Sequence, residues 1–149
     1  MHKFATICFA GLGMLLLASG CGENGLIRAR GRVVKGDEAF IPEEGQSLRI
    51  QFVPITDDGK PPLSKYYAEF DEETGTFVAV GPQREGVPPG KYIVTVELIK
   101  KKMDLWEGCF DGDNSPFTVE VDDESEEIVL DLDTPSKTVP VKQQTNAGD

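Results

Sequence analysis

The chain has 149 residues, with 26 Asp+Glu against 15 Lys+Arg, a formal charge of −11 and a single histidine, His2. That acidity argues against a nucleic-acid binder, because phosphates are neutralised by lysine and arginine. One histidine leaves little room for Ser-His-Asp or Cys-His nucleophiles or for histidine-ligated metals, and three cysteines supply no disulfide framework.

The first element is Met1–Cys21, M-H-K-F-A-T-I-C-F-A-G-L-G-M-L-L-L-A-S-G-C. His2 and Lys3 precede an uncharged, mostly apolar run from Phe4 to Ala18, shorter than the ~20 residues a membrane-spanning helix needs. A charged start, an apolar middle and a small-residue exit form the layout of a bacterial secretory signal. The segment L-L-L-A-S-G-C resembles a lipobox, with Ala18 where Leu is commonest. That resemblance implies cleavage before Cys21 and acylation of its thiol. The alternative is an ordinary signal peptide with an incidental cysteine.

Residues 1–20 are therefore read as a leader and 21–25 as a polar tether. Removing the leader leaves 129 residues, one domain's worth, with 14 Lys+Arg, 26 Asp+Glu and no histidine. That acidity argues against a polybasic hold on anionic lipid, so membrane attachment is expected to rest on acyl chains, several of which anchor stably where one binds marginally. Gly22 after the cysteine points to the outer membrane under the sorting rule of Gram-negative bacteria, so the expected address is the cell envelope. Cys8 leaves with the leader and Cys21 is taken by lipid, so Cys109 is left over.

Strand-like segments follow with no sustained helical period. Leu26–Val34 alternates Ile27, Ala29 and Val33 against Arg28, Arg30 and Arg32. Leu48, Ile50 and Phe52 alternate with Arg49 and Gln51. Tyr66–Phe70 and Thr76–Val80 flank the turn Asp71–Gly75. Lys91–Lys100 is the strongest, with Tyr92, Val94, Val96 and Leu98 on one face. Phe117, Val119 and Val121 mark a sixth segment, and Ile128, Leu130 and Leu132 a seventh. Period-two alternation means one face buried and one wet. Seven such strands between Gly/Pro/Asp turns predict an all-β, seven-stranded sandwich over residues 26–133. The polar residues 134–149 lack a sustained period and read as a disordered tail. Gly36–Gln46, Pro54–Ser64 and Lys101–Ser115 read as long loops, where binding usually sits.

Two segments carry a family resemblance. D-E-E-T-G-T-F (Asp71–Phe77) and V-P-P-G-K-Y-I-V-T-V (Val87–Val96) resemble the D-x-x-G-x-F … P-P-G-x-Y-x-V-x-V signature of carboxypeptidase regulatory-like domains. G-R-V-V-K-G (Gly31–Gly36) and I-Q-F-V-P (Ile50–Pro54) fit the first two strands of that pattern. N-S-P-F-T-V-E-V (Asn114–Val121) and I-V-L-D-L (Ile128–Leu132) are similar to the last two strands of lipoprotein versions of the Planctomycete type. The resemblance spans about Arg30 to Asp133. It implies an Ig-like or transthyretin-like (prealbumin-like) sandwich whose motif residues are structural, and it brings no catalytic residue. The acidic loop after Gly36 and the segment around Trp106 depart from the pattern.

Four groupings could carry chemistry. Asp111, Asp113 and Asn114, with Asp104 or Glu107, offer oxygens to a calcium ion, but EF-hand spacing is absent and Asp and Asn are ordinary turn residues. The acidic run Glu120–Glu127 could collect cations or meet a basic partner. Its plainer reading is a solvated hairpin turn between the last two strands. A carboxylate pair for glycoside cleavage will arise by chance among 26 acids and carries no weight. Trp106 and Phe110, joined by Tyr66 and Tyr67, form either a binding platform or a loop packed back over the sheet. Cys109 reads as a small buried hydrophobe.

The expected function is a non-enzymatic, membrane-anchored extracytoplasmic module that presents loops to a protein or an envelope polymer, without a cofactor. Carbohydrate or calcium binding, or service as an accessory subunit of a separate envelope enzyme, are the alternatives.

Overall fold

The structure, a computed structural model, describes residues 25–56 and 64–135. The leader, Cys21, residues 57–63 of the second loop and residues 136–149 of the tail lie outside the described residues. Nine strands and no helix are present among those described: β1 (Arg30–Lys35), β2 (Glu38–Ala39), β3 (Ser47–Pro54), β4 (Tyr66–Asp71), β5 (Thr76–Ala79), β6 (Gly90–Lys100), β7 (Met103–Asp104), β8 (Thr118–Val121) and β9 (Ile128–Asp131).

Hydrogen bonding is continuous through the order β9-β1-β5-β4-β3-β6-β8, with the two-residue β2 and β7 added to β1 and β6. All pairs are antiparallel except β1–β9, which is parallel with Gly31 opposite Ile128 and Val34 opposite Asp131. The result is one strongly curled sheet, a half-barrel. The pairing makes β1, β4, β6 and β9 run one way and β3, β5 and β8 the other. Loops 36–46, 71–75 and 101–117 therefore lie towards one end, and residue 25, loop 80–89 and the β8–β9 connection towards the opposite end.

The seven alternating segments all form strands. In β3, Leu48, Ile50 and Phe52 point inward, and in β6 so do Tyr92, Val94, Val96 and Leu98. The sheet curls around Phe52, whose ring meets Phe77 of β5 at 6.2 Å and Tyr92 of β6 edge-on at 5.8 Å. Such pairs add stabilisation beyond the area they bury. Gly31 makes room for this core, since a Cβ there would collide with the Phe77 ring and the Ile128 carbonyl.

Three expectations are corrected. The first strand is interrupted. Ile27 pairs alone with Val87, donating N–H to its carbonyl (2.8 Å) and accepting in return (2.9 Å), before β1 begins at Arg30. Two loops contain strands, β2 in 36–46 and β7 in 101–115, each too short to show a period. The acidic run is not a hairpin, because β8 pairs with β6 and β9 with β1, on the two outer edges of the curled sheet.

Both motif segments open on a bend that leads into a strand, β5 in one and β6 in the other. Asp71 Oδ1 accepts N–H bonds from Glu73 (2.8 Å) and Thr74 (3.2 Å), which hold its carboxyl below the usual carboxylate range. Gly75 takes a φ of 71°, and an added Cβ would sit 3.2 Å from both Ala39 Cβ and the Phe40 carbonyl oxygen. In the second segment, Tyr92 Oη donates to the Pro88 carbonyl at 2.6 Å and so closes the Pro88–Tyr92 entry onto β6.

Gly75→Ala is expected to cost about 1–3 kcal/mol, the order of an enforced left-handed residue, measured by urea unfolding. Burial and the neighbouring Tyr66 push the Tyr92 phenol up to about 12 from 10.0. The folded chain thus holds a proton that the unfolded chain releases first. This contribution is complete below pH 10 and is lost as pH rises through 12. Tyr92→Phe should remove that alkaline loss of stability while costing about 0.5–1.5 kcal/mol at neutral pH for the Pro88 bond.

Candidate functional site

The 101–117 segment carries most of the residues singled out from sequence, and it is built against the exposed edge of β6. The two-residue turn Lys101–Lys102 returns the chain into β7, with Lys100 opposite Met103. Asp104 then gathers the loop. Its Oδ1 accepts from the N–H of Leu98 (3.2 Å) and Trp106 (3.0 Å), and its Oδ2 from Gly108 (2.8 Å). Leu105 N–H returns to the Leu98 carbonyl at 2.7 Å.

Asp111 organises the next turn in the same way. Its Oδ1 accepts from Asp113 and Asn114, both at 3.1 Å, and its carbonyl accepts from Ser115 at 2.7 Å. Asn114 Nδ2 donates to the Gly108 carbonyl at 2.9 Å. Asp104 and Asp111 therefore use carboxylate oxygens on backbone amides, and the D-G-D-N stretch closes around Asp111 as a turn. Among the described residues, no group of three or more His, Cys, Asp or Glu is placed to hold a metal ion.

The aromatics of this segment turn inward. Phe110 is 2% exposed and stacks on Phe117 at 5.6 Å. Trp106 is half-buried, edge-on to Phe110 at 5.4 Å and tilted against Phe40 of the 36–46 loop at 5.6 Å. Cys109 is half-buried and packs against the same core. Tyr66 lies edge-on to Tyr92 at 6.0 Å and is separate from this cluster, while Tyr67 is exposed on the outer face of β4. The structure thus brings Trp106 and Phe110 together with Phe40 and Phe117, two partners that their spacing did not announce.

At the opposite end lies an open groove of about 410 Å³ between the start of β1 and the acidic connection. Arg28 and Arg30 form one wall, and Asp122, Asp123, Glu126 and Glu127 the other. Arg32 Nε pairs with Glu127 Oε2 at 3.5 Å, with both side chains about half exposed. Exposed pairs of this kind contribute little. The acidic connection is tied down by Ser125, whose Oγ accepts from Asp122 N–H and donates to Asp122 Oδ1, both at 2.7 Å. The arginine alternation and the acidic run were each visible in sequence. What joins them is the parallel β1–β9 pairing, which spacing does not reveal.

Compared with known proteins, the chain matches no family model, no curated protein and no solved structure.

Replacing Asp104 by Ala strands three partly buried amides. The expected cost is about 2–3 kcal/mol in urea unfolding, together with a red shift of the single tryptophan's emission as the Trp106 turn loosens. A change below ~0.5 kcal/mol, the usual scatter of surface substitutions, would show that the carboxylate is not what shapes the loop.

Proposed function

We propose that this chain is a lipid-anchored, non-enzymatic module of the bacterial cell envelope whose domain is a carboxypeptidase regulatory-like sandwich. In this reading the curled sheet is a transthyretin-like sandwich, with β9-β1-β5-β4 as one layer and β3-β6-β8 as the other. The observation that carries the reading is the use made of the motif residues. Asp71 and Gly75 shape the β4–β5 turn, and Tyr92 secures the Pro88–Gly90 entry to β6. The resemblance implies structural roles for the motif residues and brings no catalytic one. The lipobox-like L-L-L-A-S-G-C supplies the anchor at Cys21, and the domain presents its loops to a protein or an envelope polymer.

The calcium and carbohydrate alternative has less support, since Asp104 and Asp111 engage amides and Phe110 is buried.

The test is crosslinking of intact cells followed by mass spectrometry of whatever is joined to the chain, with its N-terminal peptide read in the same run. The expected result is an acylated Cys21 at the N-terminus and a reproducible protein or polymer partner. An unmodified Cys21, or cleavage elsewhere, overturns the anchor. A defined small substrate turned over by the purified chain overturns the non-enzymatic assignment.

A further inference from the structure

The β6–β7 turn has features that turn stability does not call for. Lys101 and Lys102 both take positive φ, 51° and 69°, in a two-residue hairpin loop. Loops of this kind favour Asn-Gly, because the left-handed region crowds Cβ against the following carbonyl in other residues. Here both positions are lysine. Lys101 and Lys102 are exposed, and neither they nor Lys100 forms an ion pair with a described residue. Met103 follows at 63% exposure, the highest of the large hydrophobic residues described. The base beneath is fixed by the three amide bonds to Asp104 and by Trp106 wedged between Phe40 and Phe110.

Adjacent exposed ammonium groups beside an exposed apolar side chain suit a broad anionic surface better than a pocketed partner. Lysine favours such a surface too. It is a flexible point charge, whereas forked recognition of single carboxylates or phosphates is the province of arginine. A long lysine stem lies along apolar surface while its charge reaches the headgroups. Acids of the 36–46 and 71–75 loops lie towards the same end and oppose the contact, so it is local to the turn itself.

We propose that the Lys100–Met103 turn is a contact site for an anionic lipid surface, with the lysines at the phosphates and Met103 at the acyl boundary. The contact lies at the end of the sheet opposite residue 25.

Trp106, the single tryptophan, lies three residues from Met103 and reports the contact. The full chain is mixed with vesicles of phosphatidylcholine, or of about equal parts phosphatidylcholine and phosphatidylglycerol, both carrying brominated acyl chains. A leader or acyl anchor inserts into both, so the difference in Trp106 quenching isolates the tip. The expected result is quenching on the anionic vesicles alone, abolished by high salt. Lys101→Glu with Lys102→Glu should weaken it roughly 25-fold, about fivefold per lysine before any repulsion from the new carboxylates. Lys101→Asn with Lys102→Gly should also lose the contact while raising the Tm, which shows that the loss is not unfolding. Equal quenching on both vesicles, or quenching that survives either double variant, overturns the proposal. A Trp106 response to poly-glutamate without one to vesicles also overturns it and assigns the tip to an acidic protein. None of these outcomes bears on the acylation of Cys21, so the anchor reading stands or falls separately.

Discussion

The structure depends on satisfying both edges of one long strand. β6 runs eleven residues through the core with Val94 and Val96 almost fully buried, and a buried backbone amide without a partner is costly. One edge is met along most of its length by β3, from Ser47 opposite Ile99 to Pro54 opposite Tyr92. The other is met in pieces. β8 covers Gly90–Ile93, after which Val94 N–H donates to the Phe117 carbonyl (2.9 Å) and Val96 N–H to the Phe110 carbonyl (3.1 Å). Leu98 N–H reaches Asp104 Oδ1, and β7 completes the end. Ser115, fully buried, donates its hydroxyl to the Val94 carbonyl at 2.5 Å and accepts the Phe117 amide. The irregular 101–117 segment is thus the second neighbour of β6. Its aromatics turn inward because its backbone is committed to the sheet.

This constraint separates what the sequence disclosed from what it concealed. Alternation marked the seven main strands, because a half-buried strand must place every second residue inside, as Leu48-Ile50-Phe52 and Tyr92-Val94-Val96-Leu98 do. The turns around Gly75 and Gly90 were legible from residues with unusual backbone freedom. Pairing partners were hidden, because the same alternation serves a hairpin or a parallel neighbour. Val121 and Ile128, with six residues between them, invite a hairpin, yet they end on opposite edges of the curled sheet. Likewise β2 and β7 are two residues each and can carry no period. The site was legible in part. Trp106, Phe110 and Asp111 do share a loop, but the roles of Asp104 and Asp111 as acceptors of backbone amides follow from three-dimensional closure.

Carboxylates are used differently at the two ends of the sheet. At one end, carboxylates fold loops by accepting amides, as Asp71, Asp104 and Asp111 show, and Asp131 adds a link by accepting the Gly36 amide at 3.1 Å. Four of the 26 acidic residues are therefore spent on local architecture at this end. At the other end Asp122 likewise accepts the Glu124 amide (3.0 Å). The acids of 122–127 also face Arg28 and Arg30 across an open groove, and Glu127 pairs with Arg32, where solvent limits what the pair contributes. Acidic residues in this protein thus do two different jobs, and only contact geometry tells them apart.

Among the described residues the outer edges of β8 and β9 have no partner strand, and they pose the remaining physical problem. Exposed strand edges recruit other strands, and a half-barrel that stops short of closure leaves two of them. Both are four residues long, which limits the number of hydrogen bonds an intruding strand could gain. Their connection is Asp122–Glu127, and β8 itself carries Glu120 on an exposed position, so an approaching acidic copy of this chain meets like charge. The inward side chains Val121, Ile128 and Leu130 are buried, so the seam offers little apolar reward beyond the exposed Val129. The acidic run then has a physical purpose that needs no ligand. Like charge at this end of the sheet opposes its completion by a second acidic molecule.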